Sequence, residues 1–91
     1  MEIKIGDVVK ATAGRDKEEF FLVIDIIGKF AYIANGKNRK IQNLKKKNLK
    51  HLIKAAGATL YCDAVRIKRG EAFGNEKLYK NIIRATKKIG G

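Results

Sequence analysis

The residues best equipped for chemistry in this sequence are cations. Lys37, Arg39, Lys40, Lys45, Lys46, Lys47, Lys50 and Lys54 follow one another with no acidic residue among them. A lysine ammonium is a flexible point charge that meets a phosphate without reading sequence. Arg39 adds a planar fork that can pair with phosphate or guanine, or stack on a base. A run of charge is usually a solvated face, but eight cations without one acid exceed what solubility requires. If six to eight of them met phosphates, affinity would fall on the order of a thousandfold or more between about 50 and 200 mM salt.

His51 stands at the end of this run and could stack on a base or bond a phosphate. Without a carboxylate or cysteine neighbour it is a poor metal ligand. Tyr32, Tyr61 and Tyr79 offer further stacking surfaces for unpaired bases. Tyr32 is better placed in a core, since Phe30 and Ala34 share its face.

Catalysis has little to work with. The chain contains no serine, so its hydroxyl nucleophiles reduce to Thr12, Thr59 and Thr86. Cys62 and His51 could form a dyad, but nothing supplies an orienting partner or an oxyanion site. Glu18 and Glu19 are adjacent and point opposite ways if extended. No glycine loop has the spacing that cradles phosphate. The expectation is a protein that is not an enzyme, with no cofactor, no metal and no small-molecule substrate. Cys62 is the only cysteine, which excludes an intramolecular disulfide and suits a reducing compartment.

These residues must be positioned by a small body. The chain has 91 residues, 45% of them hydrophobic and 33% charged, which is room for one domain or a small barrel with an appendage. Its formal charge of +12 repels itself unless a polyanion relieves it, and nucleic acid and anionic membrane are the natural candidates. The charge is uneven: residues 1–25 hold more acids than bases, 26–62 hold nine bases and no acid, and 63–91 are again basic. The N-terminal residues lack the layout of a signal peptide, and no apolar run approaches the roughly 20 residues that span a bilayer. A cytoplasmic protein without a membrane partner is expected.

The first half reads as strands. Val8 and Val9 open a short one. Phe20 to Ile27 is almost continuously apolar, as a strand buried on both faces would be. Gly28-Lys29 turns into Phe30 to Ala34, and Asn35-Gly36 is a hairpin signal leading into a fourth strand through Arg39 to Asn43. Four short strands with tight turns predict a small closed antiparallel barrel. Leu49, Leu52 and Ile53 have the spacing of one helical turn. Leu60 to Arg69 leans towards helix stopped by Gly70. Leu78, Ile82, Ala85 and Ile89 recur at helical spacing, which predicts a helix over Asn75 to Ile89, with Asn75 as its cap and Glu76 in its first turn.

Ile5-Gly6-Asp7-Val8-Val9-Lys10-Ala11-Thr12-Ala13-Gly14-Arg15-Asp16-Lys17, followed by the Phe20 to Ile27 strand, resembles a KOW motif. That family is an SH3-like β-barrel of ribosomal proteins and transcription elongation factors. The nearest likeness is to short prokaryotic KOW-domain RNA-binding proteins related to a large-subunit ribosomal protein of archaea and eukaryotes, which carry a helical tail. The resemblance covers Ile3 to His51. It implies a KOW barrel over residues 1–54 and a helical C-terminal extension over 55–91, packed on or beside it. It implies that the loop holding Gly14, flanked by Arg15 and Lys17, faces RNA together with the basic loops nearby. Glu18-Glu19 depart from that pattern, because two acids face phosphate poorly.

The expected role is therefore binding of RNA, ribosomal RNA first, with ribosomal proteins as further partners. The alternative is a protein-interaction module of the transcription or translation machinery. A weaker one is membrane-surface binding through the last helix, which has no Trp or Phe for an interface.

Overall fold

The computed structural model of the chain describes residues 2–55 and 59–87. It is a small β+α domain. Five strands, β1 (Val8–Ala11), β2 (Phe20–Ile27), β3 (Phe30–Ala34), β4 (Lys45–Asn48) and β5 (Leu52–Lys54), are followed by α1 (Tyr61–Lys68) and α2 (Asn75–Lys87). The strands form one antiparallel sheet in the order β4-β3-β2-β1-β5.

β2 explains the architecture. Its apolar run from Phe20 to Ile24 needs cover on both faces, and Phe21, Leu22, Val23 and Ile24 are all buried. Phe21 and Val23 point inward with Val9, Ala11, Ala31, Ile33 and Leu52, so one face of the sheet packs on its own side chains. Leu22 and Ile24 point outward with Val8 and Ala34 and meet Ala64 and Ile67 of α1 and Leu78, Ile82 and Ala85 of α2. The helices therefore supply half of a core that the sheet cannot close alone. Strand alternation puts Ile24 on the Leu22 face, and a bulge between Val23 and Asp25 brings Asp25 to that same outer face, opposite Tyr32.

Three sequence expectations change. The fourth strand is not at Arg39 to Asn43: residues 35–40 form a loop, Ile41–Asn43 is a 3-10 turn, and the strand comes later, at Lys45–Asn48. The loop closes on the Asn35 side chain, whose Oδ1 accepts from the Lys37 and Arg39 backbone N–H groups, both at 3.0 Å. Tyr32 is half-buried on the outer face and belongs to neither core cluster. Asn75 acts as a clamp: its Oδ1 accepts from the Ile41 backbone N–H at 2.7 Å and its Nδ2 donates to Gln42 Oε1 at 2.8 Å. Gly36 must be glycine where that clamp lands, because its φ is +78° and a Cβ would strike the Asn75 carbonyl.

The turn read from Leu49, Leu52 and Ile53 is met only at Leu49–His51, a 3-10 turn; Leu52 and Ile53 belong instead to a fifth strand, β5, which pairs with β1. Other expectations hold. The segment read as leaning towards helix is α1, ending before Gly70. α2 is helical through Lys87; Lys88 and Ile89 of the expected helix lie outside the described residues. Among the described residues no helix is long and apolar enough to cross a membrane.

Candidate nucleic-acid interface

The loop between β1 and β2, residues 12–19, carries Gly14, Arg15 and Lys17. It is tightly folded: the Lys17 N–H donates to the Gly14 carbonyl, and the Glu19 N–H to the Asp16 carbonyl. Gly14 has φ +84° and exposes its backbone. Glu18 also takes a positive φ. Glu18 pairs with Lys10 at 3.0 Å, and Glu19 accepts from the side chain of Asn38. The two acids that disturb the sequence pattern are thereby used up at the loop's base.

The lysine triplet in β4 is split by strand geometry, since successive side chains point to opposite faces. Lys45 and Lys47 stand opposite Ile33 and Ala31, on the inward face, and Lys46 stands opposite Tyr32, on the outer one. Lys45 reaches across to Asp16, with Nζ 2.8 Å from the buried Oδ2, a close ion pair. Lys47 Nζ donates to the Ala13 carbonyl at 2.8 Å. Two of the three lysines are struts that hold the 12–19 loop against β4. Asp16 and Lys45 side chains are 17% and 27% exposed, so Asp16→Asn or Lys45→Ala should each lower stability by about 1 kcal/mol. Denaturant titration of both and of the double variant should give a coupling of similar size; additive losses would show that the pair is idle.

The loop of residues 35–40 joins the same end of the sheet through the Glu19–Asn38 contact. It carries Lys37, whose Nζ lies 5.4 Å from the Tyr79 ring centre, Arg39, and Lys40. The structure thus links the loop of Gly14, Arg15 and Lys17 to the loop of Lys37, Arg39 and Lys40 through one side-chain contact, and Lys45 and Lys47 brace the first of them. His51 borders them, its carbonyl accepting from the Thr12 N–H at 2.9 Å. Lys50 and Lys54 fall elsewhere: both line a groove with Lys4, Ile26 and Gly28, and Lys54 pairs with buried Asp7 at 3.8 Å. The cations that follow one another in sequence are therefore not one patch, and Asp7 and Asp16 reach into them from the acidic first block.

Sequence reasoning missed Lys10, which pairs with Glu18, Asn38, which hydrogen-bonds Glu19, and the pairing of Lys29 and Lys46 with Phe30. Only the alternation of β3 against a lysine-rich β4 could have signalled the latter. Among the described residues, no group of three or more His, Cys, Asp or Glu could hold a metal ion. The sequence matches no protein-family model and no curated protein.

Proposed function

We propose that the chain is an RNA-binding protein of the KOW kind, ribosome-associated and cytoplasmic, that holds RNA phosphates on the 12–19 and 35–40 loops and has no catalytic role. The observation that carries this reading is a charge imbalance at one end of the sheet. There Asp16 and Glu18 are paired with Lys45 and Lys10, and Glu19, hydrogen-bonded by Asn38, is the one of the three acids without a cation beside it among the described residues. Arg15, Lys17, Lys37, Arg39 and Lys40 have no carboxylate within 4.0 Å among the described residues. Five cations on two linked loops repel one another, and a phosphate backbone relieves that repulsion. The barrel implied by the KOW resemblance is supported by β1 pairing with both β2 and β5, and by an inward face that forms its own core cluster.

The test is a mobility shift with structured RNA in dilute buffer. Arg15→Glu with Lys17→Glu should weaken binding by roughly tenfold to a hundredfold, whereas Lys45→Ala should change it little. Equal loss in both variants, or no wild-type shift, rejects the assignment. The interaction-module reading has one observation in its favour, the groove lined by Ile3, Ile26, Leu49, Leu52 and Tyr61. Under that reading the same charge reversal leaves partner binding intact.

A further inference from the structure

The outer face of β2, β3 and β4 carries two cross-strand rows. Asp25, Tyr32 and Lys46 stand side by side, and next to them Ile27, Phe30 and Asn48. The helices pack against β1 and β2, and Phe30 and Tyr32 are only half-buried, outside both core clusters. Ile27 beside Phe30 is 59% exposed. One exposed aliphatic and two half-buried aromatic side chains therefore share a face outside both core clusters.

That face carries its cations over the ring itself: Lys46 Nζ lies 4.4 Å and Lys29 Nζ 5.8 Å from the Phe30 ring centre, and their flexible stems can yield the ring to a base. Its one acid, Asp25, is neutralised by Lys68 of α1 at 3.1 Å. Asn48 Oδ1 is committed to the Lys50 N–H at 3.0 Å, which leaves the Nδ2 protons as donors. A ligand that fits must offer flat apolar faces, negative charge beside them and a hydrogen-bond acceptor at its edge. An unpaired nucleotide has all three. A paired base does not, because its faces are already stacked within the duplex.

We propose that this face is a stacking platform for two unpaired nucleotides, one base on Phe30 and one on Tyr32, with their phosphates held by Lys29 and Lys46. Residues two apart on a strand stand about 7 Å from each other, which leaves room for a base on each ring. The proposal rests on the RNA-binding reading above and names the form of RNA taken.

The chain has no tryptophan, so Phe30→Trp in the full chain places a single indole on the platform. Its emission should be quenched by a single-stranded oligouridine or oligoadenosine, and not by a duplex of equal charge or by inorganic polyphosphate. Independently, Phe30→Leu with Tyr32→Leu, checked for an unchanged circular dichroism spectrum, should lose about tenfold or more in affinity for the single strand. Its affinity for duplex should hold within about twofold, since the loop phosphate contacts are untouched. A leucine variant that binds single strands as the wild type does, or an indole that single strands leave bright, overturns the platform while loop-mediated RNA binding stands. A wild type that binds neither form removes the underlying reading instead.

Discussion

Between about 50 and 200 mM salt, the complex with duplex RNA should weaken roughly 500-fold. Each phosphate neutralised by a lysine or arginine releases condensed counterions, and the logarithm of affinity falls by about 0.9 per contact for each decade of salt on a duplex. Arg15, Lys17, Lys37, Arg39 and Lys40 are the cations of the two loops and, among the described residues, have no carboxylate within 4.0 Å, so the slope should be about −4.5. If the whole run from Lys37 to Lys54 touched phosphate, eight contacts would give a slope near −7. Anisotropy titrations at four salt concentrations separate the two. A slope near −7 would mean that about three cations beyond the two loops also meet phosphate. A flat line would mean that phosphate is not what these loops hold.

Leu78→Ala should destabilise the entire domain by about 2–5 kcal/mol, a large part of the 5–15 kcal/mol typical of a small domain. Leu78 is fully buried in α2, within the cluster that also holds Val8, Leu22 and Ile24. Removing its side chain opens a cavity under β2, and β2 is the strand on which both layers are built. Thermal unfolding followed by far-ultraviolet circular dichroism and by tyrosine emission should show one shifted transition in both signals. Separate transitions, with the helices melting first and the sheet keeping its wild-type midpoint, would show that the C-terminal helices are an appendage without structural weight.

The parts of the fold that were legible in the sequence are those whose pattern is local. The apolar run of β2 predicts burial on both faces because no other arrangement satisfies it. α2 announces itself by the recurrence of Leu78, Ile82 and Ala85. β4 is invisible by the same logic: Lys45-Lys46-Lys47-Asn48 has no apolar alternation, and pairing with β3 and the reach of two lysines to the 12–19 loop hold it in place. Asn35-Gly36 has the chemistry of a tight hairpin, yet the Asn35 side chain bonds backbone N–H groups further along and opens the turn into a loop.

The candidate site was legible as charge but not as geometry. An acid-free stretch signals a polyanion, but the sequence cannot say that Asp16 and Asp7 fold back onto Lys45 and Lys54. Nor can it say that the lysine triplet divides between two faces. Arg15 and Lys17 entered through the resemblance to KOW motifs, and the acids that clouded their role are held by Lys10 and Asn38. The aromatic face escaped notice because Tyr32 reads as a core residue until the bulge in β2 and the position of the helices place it at the margin.

Where RNA touches this chain can be read by ultraviolet crosslinking in dilute buffer followed by mass spectrometry of the joined peptides. Adducts should appear on the peptides containing Arg15 and Lys17 and on those containing Lys37 to Lys40, and should persist in Lys45→Ala. Adducts confined to α1 and α2, or none at all from a folded protein, would contradict the assignment of the loops to phosphate.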